Sequence, residues 1–147
     1  MKLLVVFAAA AAVIALALAG GSFAQGARRA GYGMRYDPQT VETVSGTVIA
    51  VEKIAYGRRG HYGVHLELKT ARGELPVELG PSWFINRQSM KIAPHDVVEV
   101  TGSRVMHKGK PALIAAEIKK GGETLRLRES NGLPLWRRHK GGWPRGR

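Results

Sequence analysis

From residue 62 to residue 80 the chain reads YGVHLELKTARGELPVELG. Apolar and polar side chains alternate on both sides of a short break, Ala71-Arg72-Gly73. A period of two is that of a strand with one buried and one solvent-facing side. A three-residue break that contains glycine is typical of a β-hairpin. We therefore predict an antiparallel hairpin. Its predicted inward side chains are those of Tyr62, Val64, Leu66, Leu68, Thr70, Leu75, Val77 and Leu79.

Further β-rich runs surround this hairpin. They cover residues 41–53, 97–106, 111–119 and 124–128. The first run is interrupted at Gly46, and a glycine inside a strand pattern indicates a bulge or a sharp bend. The second and third flank Lys108-Gly109, which predicts another hairpin turn. In the last run, Leu125 and Leu127 are expected to point inward. The sequence thus predicts five strands and a short sixth.

The segment GPSWFIN, residues 80–86, breaks the strand pattern. Trp83, Phe84 and Ile85 cannot all face water, and serine at position 82 is a residue type that caps helices. We expect Ser82 to cap a short helix that plugs one end of a barrel between strands three and four. This order matches the OB-fold, a partly open five-stranded Greek-key barrel. The alternative, an SH3-like barrel, lacks that helix. The predicted class is therefore an all-β, OB-fold-like barrel.

The first 24 residues have the layout of a secretory signal peptide, which we expect to be helical. Lys2 precedes 17 consecutive apolar residues, 3–19, and Ser22 and Ala24 are small residues in front of a cleavage site. Cleavage is expected after Ala24, with Ala19 as the alternative position. An uncleaved membrane anchor is the competing interpretation, but a span takes roughly 20 apolar residues. We therefore predict an exported, periplasmic protein.

The charge of the chain is concentrated at its ends. The 147 residues include 23 Lys and Arg against 11 Asp and Glu, a formal net charge of +12. Residues 36–132, the predicted barrel domain, hold 14 of the basic and all 11 of the acidic residues. Segments 25–35 and 133–147 are rich in Gly and Arg and are predicted to be flexible basic tails. The absence of cysteine excludes disulfides, thiolate nucleophiles and cysteine-based metal sites.

Several stretches of the chain resemble a known family. They are YDPQTVETVSGTV (36–48), YGVHLELKT (62–70), VELGPSWFI (77–85), VEVTGSRV (98–105), GKPALIAAEIKKG (109–121) and LRLRESNGLPLW (125–136). Together they are similar to the domain shared by the magnetosome-associated proteins MamS and MamX, small exported bacterial proteins. Relatives outside magnetosome bacteria are sometimes labelled DNA-binding proteins. MamX-type proteins carry haem-attachment motifs and this chain has none, so the resemblance implies no haem and we expect no cofactor.

Two predicted loops carry basic residues: Arg58, Arg59 and His61 between strands one and two, and His107, Lys108 and Lys110 between strands four and five. In an OB-fold these loops flank the ligand cleft. The residues are therefore candidates to clamp an anionic ligand. The simpler alternative is that solvated hairpin loops carry Lys and Arg without binding anything.

Nucleic-acid binding through the tails and loops is the alternative function. OB-folds that bind single strands stack bases on aromatic side chains of strands two and three. Here the predicted outward side chains of those strands include three glutamates and no Phe, Trp or Tyr. This pattern disfavours single-strand binding on the usual surface.

Metal binding and catalysis have little basis in the sequence. His65 and Glu67 share a strand face about 6.6 Å apart, and with Glu78 from the next strand they are candidates for a loose divalent-metal site. Solvated surface residues are the alternative interpretation. No catalytic triad or phosphate-binding loop is present in the sequence, so we predict a non-enzyme.

The three tryptophans have different surroundings. Trp83 is expected in the core. Trp136 either folds back over the barrel or, with Trp143 and the tail arginines, engages an anionic membrane surface or acidic partner. Taken together, the sequence favours an exported, non-enzymatic binding or adaptor module for an anionic ligand, an envelope surface or a protein partner.

Overall fold

The computed structural model describes residues 35–57 and 60–138. The strands are β1 (Val41–Ala55), β2 (Tyr62–Thr70), β3 (Gly73–Pro81), β4 (Val97–His107), β5 (Lys110–Lys120) and β6 (Glu123–Arg126), and helix α1 (Ser82–Ile85) lies between β3 and β4. Short 3-10 turns occupy Pro38–Thr40 and Leu135–Arg138. The expected signal peptide, Arg58, Arg59 and Trp143 lie outside the described residues. Within the described part of the chain, no helix is long and apolar enough to cross a membrane.

The first five strands close into a barrel. The sheet order is β3-β2-β1-β4-β5-β6, and these neighbours pair antiparallel. β3 and β5 pair in parallel through Val77 with Leu113 and Glu78 with Ile114, which closes the ring. β6 extends the sheet as an extra strand. With α1 between β3 and β4, this is the predicted OB-fold-like barrel; the SH3-like alternative is wrong.

β1 bends because it serves both sides of the barrel. It pairs with β4 through residues 41–47 and with β2 through residues 47–55. At the crossover, a Cβ on Gly46 would lie 2.7 Å from the carbonyl oxygen of Lys69. Glycine is therefore required there by a close backbone approach. The register shift falls a little later, between Val48 and Ala50, which places the bulge at Ile49.

The predicted alternation of the central hairpin is confirmed at six of its eight inward positions, and Thr70 at the end of β2 is half-buried. Its six predicted core side chains Val64, Leu66, Leu68, Leu75, Val77 and Leu79 are all buried. Tyr62, predicted to point inward, is 44% exposed. Tyr62 is the first residue of β2 and pairs with Ala55, at the end of the hairpin where residues 51–57 are all exposed. The β1–β2 hairpin extends past the barrel core there. A side chain on the inward face of β2 is therefore not buried at this end.

Helix α1 fills one end of the barrel. Phe84 is buried, and Trp83 and Ile85 are half-buried against the core. The predicted cap is wrong, because Pro81 is the N-cap residue and Ser82 is already the first helical residue. Pro81 still has extended backbone angles, so β3 runs directly into the helix without a capping side chain.

The turn between β4 and β5 matches the prediction. Lys108 and Gly109 both have positive φ, 50° and 77°. Two such residues make the type I′ turn that suits the twist of a tight hairpin. Glycine adopts this backbone at little cost, whereas a lysine there is uncommon.

Residues 127–138, which we call the C-terminal strap, cover part of the barrel. The Leu127 N–H donates to the Ala116 carbonyl at 2.8 Å, and the Leu135 N–H donates to the Leu127 carbonyl at 3.0 Å. Leu135 and Trp136 pack against the core, with the Trp136 and Phe84 ring centroids 5.5 Å apart. Trp136 therefore folds back over the barrel, the first of its two expected placements.

Candidate functional site

The candidate site is the outer face of the β1–β2–β3 sheet, which we call the cleft face. Register places its side chains in rows across the three strands: Glu52, His65 and Glu78; Ala50, Glu67 and Pro76; and Thr47, Lys69 and Glu74. Cross-strand partners share a face of a sheet. The OB-fold topology puts this face between the β1–β2 and β4–β5 loops, where OB-folds bind their ligands.

Carboxylates set the electrostatic character of the cleft face. The pKa of Glu67 is raised by partial burial and then by the negative charges of Glu74 and Glu52. The contributions of Glu74 and Glu52, which add to the larger effect of burial, show that like charges interact here. A cation arriving at this face would relieve that repulsion.

An aromatic pair occupies the loop end of the same face. The Tyr56 and His61 rings are stacked, with centroids 6.3 Å apart and an interplanar angle of 30°. A Cβ on Gly63 would lie 3.6 Å from Tyr56 Cε1, so the tyrosine ring covers this glycine. The sequence analysis missed Tyr56 because strand alternation does not reach the loop. The available signal was Gly63 itself, an outward strand position without a side chain.

His65 lies at the centre of the face, cross-strand from both Glu52 and Glu78. Burial lowers the pKa of His65; the Glu52 charge raises it and His107 lowers it. The effect of His107 places the β4–β5 turn within electrostatic range of the cleft face. Since burial is the largest cause, the imidazole is neutral at neutral pH.

Glu78 differs from the other carboxylates of this face. Burial raises the pKa of Glu78 to about 7, against the opposing effect of Arg128. Its Oε2 atom is buried and has no hydrogen-bond partner among the described residues. The sequence analysis treated Glu78 as solvated, which is wrong. The cause is barrel closure, because Glu78 pairs with buried Ile114 of β5.

The predicted basic clamp is only partly within the described residues. Lys108 and Lys110 are exposed at the β4–β5 turn, and His61 and His107 are half-buried. Arg58 and Arg59 lie outside the described residues. The clamp therefore stays a prediction.

The comparison with known proteins identifies the family. The model of the MamS/MamX magnetosome protein family matches residues 40–125, more than half of the chain. The chain belongs to the MamS/MamX magnetosome protein family. The match runs from the start of β1 into β6, so it includes every strand of the closed barrel. A search of curated proteins finds no match.

In this MamS/MamX family member the cleft face offers separate carboxylates and no chelating cluster. Within residues 35–57 and 60–138, no three His, Asp or Glu side chains are grouped so as to hold a metal ion. His65 and Glu78 are cross-strand partners, but Glu67 belongs to the next row. The arrangement is suited to contacting an extended cationic ligand along the sheet.

Proposed function

We propose that this chain is a non-enzymatic, exported adaptor whose cleft face binds a positively charged segment of a protein partner. The observation that carries the proposal is the position of Glu67 on the cleft face between Glu52 and Glu74, whose negative charges both act on it. The Tyr56–His61 stack beside them supplies a ring face of the kind that attracts Lys and Arg cations. Together they favour a Lys- or Arg-bearing peptide.

Other features support the remaining parts of the proposal. The signal-peptide pattern of residues 1–24 supports export. Membership in the MamS/MamX family supports a partner associated with the magnetosome or with another part of the bacterial envelope. The small closed barrel formed by the described residues supports a binding role.

An anionic ligand is the second candidate. The observation in its favour is the pair of exposed lysines, Lys108 and Lys110, at the rim of the cleft. The carboxylates of the face itself oppose it, because phosphates of a nucleic acid would meet like charge there. Metal handling gains no support from the described residues.

The experiment compares three fluorescent probes by anisotropy: a Lys- and Arg-rich decapeptide, its Asp- and Glu-rich counterpart, and a single-stranded oligonucleotide. The protein is the exported form with both basic tails. We expect the basic peptide to bind most tightly. The triple variant Glu52→Gln/Glu67→Gln/Glu74→Gln should lose between about threefold and about a hundredfold in affinity, since each lost charge pair contributes roughly 0.2–1 kcal/mol.

The matched control makes the same charge change elsewhere. Glu99, Glu117 and Glu123 lie on β4, β5 and β6, away from the cleft face. Their triple Gln variant should bind the basic peptide like the unaltered protein. Preferential binding of the acidic peptide or oligonucleotide, lost in Lys108→Ala/Lys110→Ala, would instead establish the second candidate.

A further inference from the structure

Arg128 of the C-terminal strap is a buried cation. The residue is only 4% exposed, and its Nε atom has no hydrogen-bond partner among the described residues. Burying a charge is costly unless it is paired and hydrogen-bonded. Glu78 presents the complementary feature, a buried Oε2 atom without a partner. The two groups interact electrostatically, yet they form no ion pair in this structure.

Aromatic rings hold the guanidinium instead. The Arg128 Cζ atom lies 4.8 Å from the Trp136 ring centroid and 5.7 Å from that of Tyr36. One Nη atom donates to the Gly132 carbonyl at 3.4 Å, a long hydrogen bond. Cation–π contacts stabilise the charge without consuming its N–H donors. The guanidinium therefore keeps a donor available for a better acceptor.

The Trp136 and Tyr36 rings, which hold Arg128, each pack directly against a glycine. A Cβ on Gly80 would lie 2.7 Å from the Trp136 ring, and a Cβ on Gly132 would collide with the ring of Tyr36. Gly80 belongs to β3 and follows Glu78 by two residues. The C-terminal strap and β3 are thus in direct contact at this point.

We propose that Glu78 and Arg128 form a proton-operated latch between the cleft face and the C-terminal strap. With Glu78 protonated, Arg128 stays between the two rings, as in this structure. When Glu78 loses its proton to solvent, Oε2 becomes a charged acceptor and Nε of Arg128 moves onto it. Trp136 shifts with the arginine. Ionised Glu78 also adds a fourth carboxylate to Glu52, Glu67 and Glu74 on the cleft face. The effect of the latch on peptide binding therefore rests on the proposed function.

The surroundings of Glu78 are consistent with a transition near neutral pH. Burial raises the pKa of Glu78 to about 7, and Arg128 opposes that rise. The other ionisable groups that face it are His65 from β2 and Tyr56 at the end of β1. From β5 its partner is the uncharged Ile114. Of these groups, Glu78 is the one whose pKa lies at about 7, while burial lowers the pKa of His65.

The latch is tested by the fluorescence of Trp136. The chain has three tryptophans, so a Trp83→Phe/Trp143→Phe background leaves Trp136 as the sole emitter. We expect its emission to change sigmoidally between pH 5.5 and 8.5, with a midpoint near 7. Glu78→Gln should abolish the change. Arg128→Met, which keeps the packing between the rings, should abolish it as well. The control Glu99→Gln, on β4 away from the cleft face, should retain it.

Peptide affinity supplies the second readout. We expect the basic decapeptide to bind about three- to fivefold more tightly at pH 8 than at pH 6 because of one added carboxylate. In Glu78→Gln most of that gain should be lost, because the added carboxylate is absent. An emission transition that persists in Glu78→Gln would overturn the latch. Absence of any peptide binding would overturn the proposed function, and the fluorescence titration would still decide the latch.

Discussion

Gly102 allows β4 and β5 to come together at a register shift. The shift lies between Thr101 and Gly102, where Gly102 pairs with Ala115. A Cβ on Gly102 would collide with the carbonyl group of Ile114. That carbonyl belongs to the backbone of a buried strand, so it cannot rotate away as a flexible side chain does. The position therefore requires the absence of a side chain.

Gly102→Ala should destabilise the protein by about 2–3 kcal/mol, because overpacking forces the backbone to shift. The measurement is urea-induced unfolding. Gly63→Ala is the matched control, since its Cβ would find its nearest atoms at 3.5–3.7 Å, which is ordinary contact. Equal losses in the two variants would contradict the steric explanation.

Glu78 makes the stability of the barrel depend on pH. Its pKa is raised from 4.5 to about 7 by burial, so the folded state holds a proton that the unfolded state releases. Stability from this group is full below pH 4.5 and falls as the pH rises towards 7. At pH 8, Glu78→Gln should therefore be more stable than the unaltered protein, by roughly 1–3 kcal/mol.

Urea unfolding at pH 4.5 and pH 8 checks this expectation. The advantage of Glu78→Gln should shrink to about 0.4 kcal/mol at pH 4.5, because the carboxyl is then protonated in the folded state and half-protonated in the unfolded state. Glu123→Gln on exposed β6 is the control and should change stability little at either pH. A Glu78→Gln variant no more stable at pH 8 than the unaltered protein would show that burial does not penalise this carboxylate.

The C-terminal strap stabilises the barrel as an element. It hydrogen-bonds to β5 through Leu127 and places Trp136 on Phe84 and above Gly80. The strap follows β6 and lies beyond residue 125, where the family match ends. It therefore adds a packed layer outside the matched barrel.

Trp136→Ala should cost about 2–3 kcal/mol, since it removes a half-buried aromatic ring from the core edge. Thermal or urea unfolding measures the loss. Val97→Ala is the control for removing an apolar side chain, because Val97 is 71% exposed. It should change stability by less than about 0.5 kcal/mol. Similar losses in both variants would mean that the strap does not stabilise the barrel.

For the whole molecule, the balance of charge separates the barrel from its ends. The predicted barrel domain, residues 36–132, has 14 basic and 11 acidic residues, whereas most of the formal charge of +12 comes from the terminal segments. High net charge here is therefore weak evidence for a nucleic-acid function.

Any oligonucleotide binding should accordingly come from the ends. Replacing Arg28, Arg29, Lys140, Arg145 and Arg147 by Gln should reduce it strongly and flatten its dependence on salt, since phosphate contacts release counterions. The same variant should bind the basic decapeptide at least as well as before. Salt titrations of anisotropy measure both. Unchanged oligonucleotide binding would place the phosphate contacts on the barrel instead.

Local patterns sufficed to predict the architecture. The strict alternation of residues 62–80 predicted β2 and β3, and Lys108-Gly109 predicted the hairpin turn between β4 and β5. Trp83, Phe84 and Ile85 predicted the helix that distinguishes an OB-fold from an SH3-like barrel. Each of these signals depends on residues close together in the chain, because strand period and turn geometry are local properties of the backbone.

The character of the site depended on contacts between distant segments. Tyr62 is exposed because its hairpin extends past the core, and Glu78 is buried because β3 meets β5. Arg128 became a buried cation only when the strap folded onto the barrel beside Tyr36. Alternation predicts which way a strand side chain points. Whether water or another element lies in that direction is decided by barrel closure. Closure depends on contacts between residues far apart in the chain, so a local pattern cannot predict it.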